Sequence, residues 1–317
     1  MERTIYLAGG CFWGLEHLMS RLDGVIDAES GYANGKSKEM ADYRTVCTGT
    51  TGFRECVKVK YDEERMTLDR ILFAYFSVVH PEQRNRQGND VGEQYQSGIY
   101  YIDEYSKEIV ERIVELEKTR HRRFFTEVKP LENFYPAEEY HQDYLDKNPD
   151  GYCHIPFKAI DTLASSKIDP GKYIRPTDRE IEKSLDSISF NVTQREGTEL
   201  PFSSEYCRET RKGIYVDKVT GEPLFSSMDK YESSCGWPSF TKVIEEPVVR
   251  ELEDVSHGMI RTEVRSRAGN SHLGHLFKGD SESPNGIRYC INGAALTFIP
   301  YEEMEEKGYG YLSDIFR

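Results

Sequence analysis

Two hydrophobic patterns divide this chain of 317 residues, and their difference constrains the fold more than any single motif. In the first half, strand-like and helix-like patterns alternate. Residues 5–8 (IYLA) form a short apolar strand that Gly9 and Gly10 break. Beyond Cys11, the side chains of Phe12, Leu15, Leu18, Met19 and Leu22 follow helical spacing until Gly24. Residues 56–61 alternate, with Val57, Val59 and Tyr61 on one face. Thr67 is placed to cap a helix that buries Leu68, Ile71, Leu72, Tyr75, Phe76 and Val79. Residues 99–102 read as a strand, and 105–124 as a charged helix with Ile109, Val110, Ile113 and Val114 inward. The second half changes character. After a short helix at 178–185 come short strands at 214–216, 248–252, 261–264 and, most clearly, 289–299, then a C-terminal helix and tail. Strands mixed with helices give a layered α/β or α+β arrangement; short strands separated by turns give a mainly antiparallel one.

A chain of this length exceeds what one core usually organises, so two domains are expected. Residues 158–178 are small, polar and twice interrupted by proline, and form the best linker, although their own Ile and Tyr also suit a segment lying against a domain. No internal repeat relates the halves. The 41 basic against 55 acidic side chains leave a net charge of −14, with both halves acidic. That argues against nucleic acid or an anionic membrane as main partner. No apolar run approaches the roughly 20 residues that span a bilayer, and the N-terminus lacks a signal-peptide core. The expected location is the cytoplasm.

The seven cysteines, Cys11, Cys47, Cys56, Cys153, Cys207, Cys235 and Cys290, are odd in number and scattered. They make a poor disulfide framework, and no Cys-x-x-Cys pair exists to build a zinc ribbon or a thioredoxin-type motif. Any chemistry must come from separated thiols that the fold brings together. Cys11 follows a strand and a Gly-Gly turn at the start of a helix, where free amides favour a thiolate. Phe12 and Trp13 beside it suit an apolar substrate group. A buried, protonated Glu55 could donate to a leaving oxygen. Cys153, in the Asn148-Pro149-Asp150-Gly151-Tyr152-Cys153-His154 segment, suits a resolving thiol. In the second half Arg288, Cys290 and Asn292 alternate along one strand and should share a face. His272 and His275 fit an acid role near Cys290 better than a metal site. Cys235 lies in a rigid Pro/Gly turn with Trp237.

These residues match a known family. Gly9-Gly10-Cys11-Phe12-Trp13-Gly14, Gly88-Asn89-Asp90 through Tyr95, and Tyr140-His141-Gln142 resemble methionine sulfoxide reductase A. Gly221-Glu222-Pro223-Leu224-Phe225, Cys235-Gly236-Trp237-Pro238-Ser239-Phe240, His272-Leu273-Gly274-His275 and Arg288-Tyr289-Cys290-Ile291-Asn292 resemble methionine sulfoxide reductase B. Together these motifs resemble the A–B fusion. With the pattern reading, the expected fold class is α+β. An N-terminal mixed α/β two-layer sandwich (ferredoxin-like) over residues 1–157 is followed by the linker 158–178 and a mainly antiparallel β domain over 179–317.

The resemblance implies roles at matching positions. Cys11 is the nucleophile of the first domain, Phe12 and Trp13 the wall for the substrate methyl, and Glu55 the acid. Tyr43, Asp90 and Tyr95 orient the oxygen, and Cys153 resolves. In the second domain Cys290 is the nucleophile and Cys235 the resolving thiol, with Trp237, His272, His275, Arg288 and Asn292 around the substrate. The implied substrates are the two epimers of methionine sulfoxide, free or in proteins, with S assigned to the first domain and R to the second. The implied reductant is thioredoxin or another dithiol, with no bound cofactor.

Several positions depart from the family pattern. Phe53-Arg54 precedes Glu55 where His-Ala is common, and Gly293 replaces a serine beside the Cys290 strand, which should loosen it. Residues 216–221 and 266–269 lack the two Cys-x-x-Cys pairs of zinc-binding members, so no metal is expected. Cys47 and Cys56 read as structural, and Cys207 has no role. Two rival readings differ from this one: a cysteine hydrolase would turn over without a reductant, and a non-catalytic zinc or redox-sensing protein would be marked by bound metal in a chelator-free sample.

Overall fold

Along residues 54–62 the buried side chains alternate in direction: Glu55, Val57, Val59 and Tyr61 share one sheet face, and Cys56 points to the other. The computed structural model describes residues 1–317, the side chain of His257 excepted. The chain divides into two units, Met1–Gly171 and Lys172–Arg317. In the first, β1 (Glu2–Ala8), β2 (Val25–Ala33), β3 (Arg54–Asp62), β4 (Gly98–Tyr101), β5 (Glu127–Pro130) and β6 (Phe134–Pro136) form one sheet. Its order is β5-β4-β1-β3-β2-β6, antiparallel except between β4 and β5.

Helices α1 (Phe12–Ser20), α2 (Leu68–Val78), α3 (Glu104–Arg120) and α4 (Phe157–Ser165) share one core with that sheet. Leu15, Leu18, Ile71, Leu72, Val110, Ile113 and Ile160 pack there with Ile5, Leu7, Val57 and Val59. Cys56 joins Ala8, Ala33 and Tyr100 in a smaller cluster. The helix starts follow from side-chain chemistry: the Thr67 hydroxyl accepts from the Arg70 N–H, and Asp103 and Ser106 form a capping box. Strand β2 carries no clean alternation, since Asp27, Glu29 and Gly31 interrupt it; its pairing with β3 and β6 makes it a strand.

The segment 158–178, expected as a linker, is largely structured. Helix α4 runs through it, Ile160, Leu163 and Ile168 are buried, and the Asp169 carboxylate accepts from the Thr67 N–H at 3.0 Å and from its hydroxyl at 2.5 Å. These contacts place its first half with the first unit, the division falling after Gly171.

The second unit opens with α5 (Asp178–Ser184) and α6 (Ser187–Arg195). Its strands are β7 (Gly213–Asp217), β8 (Pro223–Ser226), β9 (Lys230–Tyr231), β10 (Ser239–Phe240), β11 (Val249–Asp254), β12 (Arg261–Ser266), β13 (His272–Lys278), β14 (Ile287–Ile291) and β15 (Leu296–Pro300). They form two antiparallel sheets, ordered β8-β7-β15 and β9-β10-β14-β13-β12-β11. The single strand expected at 289–299 is therefore two. The chain leaves one sheet after Ile291, turns through a 3-10 segment at Gly293–Ala295, and enters the other sheet. The apolar residues on either side made the stretch read as one strand, although Asn292-Gly293 marks the turn. The C-terminal stretch forms the short 3-10 turns Tyr301–Glu303 and Gly310–Phe316 rather than an α-helix. Among the described residues no helix is long and apolar enough to cross a membrane.

At the positions where zinc-binding relatives are expected to carry cysteines, the two turns are joined by buried polar groups. Asp217 accepts from the Val219 N–H and from the hydroxyls of Thr220 and Ser271. The buried Glu222 carboxylate accepts from Arg267 at 2.8 and 2.6 Å and from the Ala268 N–H at 2.8 Å. Arg267→Ala would strand a buried carboxylate, which costs about 3–5 kcal/mol. A lowered denaturant midpoint for the second unit, with Glu222→Gln/Arg267→Met costing less than Arg267→Ala, is the expected result.

Candidate active sites

Gly10, at φ +84°, turns the chain out of β1 so that Cys11 becomes the N-cap of α1. Glu55 lies on the helix-facing side of β3, directly beneath. Its Oε2 accepts from the Phe12 N–H at 3.1 Å, while Oε1 is buried without a hydrogen-bond partner. Burial pushes this carboxyl up to about 8, against the lowering by the Phe12 amide. At neutral pH it is therefore mainly a neutral acid, with one oxygen buried and unpaired beneath the start of α1.

The thiol behaves differently from the sequence expectation. Burial and the adjacent Glu55 push Cys11 well above the ordinary thiol range, and the Trp13 amide only partly opposes them. The helix start is present, but in the closed pocket desolvation outweighs it.

Aromatic rings wall the pocket. Phe12 lies 5.0 Å from the His141 ring and 5.9 Å from Tyr32, and Trp13 stacks on Tyr144 at 3.7 Å. The Trp13 indole N–H donates to His141 Nδ1 at 3.1 Å. Tyr43 and Tyr95 are near enough to Glu55 and Cys11 for those charges to help raise both phenols, though burial contributes most. Asp90, on a two-stranded hairpin, accepts from the Tyr152 hydroxyl at 2.9 Å. Cys153 follows Tyr152, and its sulfur packs on Gly14, one turn along α1 from Cys11. All eight first-domain residues singled out in the sequence thus converge on one pocket. His141 and Glu138 were not assigned roles; Glu138 accepts from the Tyr32 hydroxyl and the Tyr43 N–H at 2.8 and 2.9 Å. The Tyr140-His141-Gln142 motif was the available signal for the first, and nothing local marked the second.

In the second unit Cys290 sits on β14 between Ser239 of β10 and His275 of β13. Cross-strand partners on one face lie close, so His275 flanks the thiol. Gly274, at φ +153°, lets the two backbones approach: a Cβ there would meet the Cys290 carbonyl oxygen at 2.1 Å. Cys235 Sγ is 3.6 Å from Cys290 Sγ, 3.3 Å from the Ser239 hydroxyl and 3.5 Å from the Trp237 carbonyl. The two thiols titrate as a unit. The Cys290 S–H, with Ser233 and Ser239, stabilises negative charge on Cys235, and that proton is held correspondingly tightly on Cys290. Arg288 pulls Cys290 the other way, its guanidinium lying 4.8 Å over the Phe277 ring and its Nε 2.7 Å from Asp280. His275 Nε2 is 2.8 Å from Asp254, and His272 Nδ1 is 2.6 Å from Glu263. These carboxylates, on β11 and β12, were invisible in the sequence because only strand register brings them in.

Asn292 is the exception to the expected shared face. The strand ends at Ile291, and the buried Asn292 amide is taken up by main chain: it accepts from Glu199 N–H at 3.1 Å and donates to the Leu273 carbonyl at 3.0 Å. Gly293 is braced rather than loosened, since its N–H donates to Glu199 Oε1 at 2.6 Å and Ser204 packs against its Cα. The Trp237 indole donates to the Glu199 carbonyl at 3.2 Å. Of the remaining thiols, Cys47 is exposed, Cys56 is buried in the sheet, and the Cys207 sulfur donates to the Gly236 carbonyl at 3.3 Å.

The family described as peptide methionine sulfoxide reductase matches residues 3–170, and the SelR domain matches residues 185–300. Among solved structures, Mxr1 from Saccharomyces cerevisiae in its reduced form is similar at 39% identity, over 48% of this chain and 88% of that one, with a TM-score of 0.44. Methionine sulfoxide reductase A of Corynebacterium diphtheriae is similar at 37% identity, over 49% of this chain and 83% of that one, TM-score 0.44. Mxr1 in complex with Trx2 is similar at 25% identity, over 45% and 84%, TM-score 0.31. With the first profile spanning more than half its length and the second following in order, the chain belongs to the peptide methionine sulfoxide reductase family, as a fusion of an A domain with a B (SelR) domain.

Proposed function

We propose that the chain reduces both epimers of methionine sulfoxide, S in the first unit and R in the second, through cysteine sulfenic acids that resolve to intramolecular disulfides. The observation that carries this reading is the pairing of distant thiols in each unit: Cys235 and Cys290, 55 positions apart, lie 3.6 Å apart, and the Cys153 sulfur packs on Gly14, one turn of α1 beyond Cys11. The chiral sulfur explains two sites, since one pocket complements one epimer. In each, the nucleophilic thiol attacks the substrate sulfur. The oxygen passes to the enzyme as Cys–SOH, two electrons pass to the substrate, and the thioether leaves. Glu55 protonates the oxygen in the first site and regains its proton from Cys11. In the second, the His275–Asp254 and His272–Glu263 pairs and Arg288 handle the proton and the charge. The resolving S–H then condenses with the sulfenic acid, forming S–S and releasing water.

Thioredoxin or another dithiol regenerates the thiols by exchange, which suits a reducing cytoplasm. The substrate is methionine sulfoxide free or in oxidised proteins, and the activity is repair. No cofactor is required. The strand order β4-β1-β3-β2 with α1 and α2 as crossovers supports a ferredoxin-like first domain. The compact division supports residues 1–171 as the reductase A domain and 172–317 as the B domain.

The test is stoichiometric. Without reductant, the reduced chain should release one methionine per chain from each epimer, losing two thiols each time, and dithiothreitol or thioredoxin should convert both bursts into steady turnover. A reduced, folded chain that released no methionine from either epimer, with or without dithiothreitol, would sink the reading.

A further inference from the structure

The segment that carries Cys153 is seated on the pocket with a definite architecture. Three successive residues meet the strand–turn–helix that presents Cys11. Ile155 is buried, and Cys153 Sγ and the Ile155 side chain lie over Gly14, where an added Cβ would come within 2.9 and 3.3 Å of them. His154 lies over Gly10, where a Cβ would come within 3.1 Å of Nε2. That Nε2 is 3.1 Å from the Gly9 carbonyl oxygen, two residues before Cys11. The carbonyl is an acceptor only, so Nε2 carries the hydrogen, and Nδ1 is the ring atom left to face elsewhere.

Nδ1 faces Asp90. The imidazole is 6% exposed, Nδ1 has no hydrogen-bond partner, and Asp90 Oδ2, equally without one, stands 3.8 Å away. The other carboxylate oxygen accepts from the Tyr152 hydroxyl at 2.9 Å. Asp90 is therefore held from one side of Cys153 by the Tyr152 hydroxyl, while on the other side His154 is held by its N–H to the Gly9 carbonyl. Tyr152 has no packing reason to be held there, since its ring is 47% exposed.

We infer that Tyr152 and His154 are positioning residues for the resolving thiol, and that Asp90 serves as the latch which holds the 152–155 strap across the Cys11 pocket. This rests on the proposed roles of Cys11 and Cys153. One carboxylate then faces two ways: toward the substrate oxygen during reduction, and toward the strap during resolution. Cys153 is preset beside the nucleophile before the sulfenic acid exists, so condensation needs no search by a free loop. The two glycines supply the groove, and the latch supplies the hold.

The experiment uses the full chain carrying Cys290→Ser, with Tyr152→Phe and His154→Leu added singly and together. Leu keeps apolar bulk over Gly10 and removes the N–H that the Gly9 carbonyl accepts. In one arm the reduced chain receives the S epimer without reductant; in the other, Cys11 is oxidised with hydrogen peroxide, which needs no substrate. The Cys11–Cys153 disulfide is followed by mass spectrometry of its peptides, and the surviving sulfenic acid by trapping with dimedone.

The expected result is disulfide formation slowed about tenfold or more in the double variant, with more dimedone adduct, and an S-epimer burst that stays at one methionine per chain. A role confined to folding would shrink the burst instead of lengthening the sulfenic acid's life. Disulfide formation at the parent rate in the peroxide arm would overturn the latch. If the parent released no methionine from the S epimer yet the peroxide arm showed the slowing, the proposed activity would fall and the latch would stand.

Discussion

Cys11→Ser is expected to abolish reduction of the S epimer and leave R reduction at the parent rate, and Cys290→Ser to do the reverse. A serine hydroxyl in either pocket is a far weaker nucleophile than the sulfur it replaces and forms no sulfenic acid, so the loss should be on the order of 10³-fold or more. Independence follows from the distribution of thiols: Cys11 and Cys153 both lie in the first unit, and Cys235 and Cys290 both in the second. Serine is close in volume to cysteine, so neither core is disturbed. The measurement is methionine release from each resolved epimer with excess dithiothreitol. Loss of both epimers in one folded single variant would show that the sites are not independent.

The second large effect concerns Glu55. The amide of Glu55→Gln still offers an oxygen to the Phe12 N–H but lacks a transferable proton. Removing a general acid lowers the rate by about 10²–10⁴-fold, so S reduction should drop by that order while R reduction is unchanged. The sign of the pH dependence follows from the raised carboxyl. In the proposed role the acid form is the working one, so the Glu55-dependent part of S reduction should be full near neutrality and fall as pH rises through about 8. The residual rate of the Gln variant should not show that fall. The same shift acts on stability. Because the folded state holds this proton more tightly than the unfolded chain, its contribution is complete below the ordinary carboxyl value of 4.5 and declines as pH climbs toward about 8. A parent enzyme whose S activity kept its full value well above pH 8 would remove Glu55 from the acid role.

Much of the first site was readable because its chemistry is local. Gly10, Cys11, Phe12 and Trp13 are contiguous, and the strand-turn-helix that presents them is written in the spacing of Leu15, Leu18 and Met19. Glu55 was readable in a subtler way: it shares the alternation of Val57 and Val59, which already aims it at the helices. What escaped was set by pairing between distant segments. Strand β2 exists because β3 and β6 flank it. Glu263 and Asp254 reach the histidines only through the register of β11, β12 and β13. Asn292 looked like the third member of an alternating row, but the strand ends one residue earlier, where Leu273 and Glu199 claim the amide. In the segment 158–178 the apolar residues were the signal that counted, since Ile160, Leu163 and Ile168 are buried and hold its first half against the first unit.

The 3.6 Å between Cys235 and Cys290 has a meaning for survival as well as turnover. A protein that repairs oxidation works where oxidant is abundant, and a sulfenic acid left waiting is carried on to the irreversible sulfinic and sulfonic acids. Closing the bond requires an approach of about 1.5 Å, whereas a peroxide molecule must first diffuse in. The neighbouring thiol thus acts as a fuse. Under the proposed mechanism the catalytic sulfur would spend its vulnerable state within contact of a reductant that cannot leave, and oxidant pressure would be diverted into a bond that a dithiol can reopen.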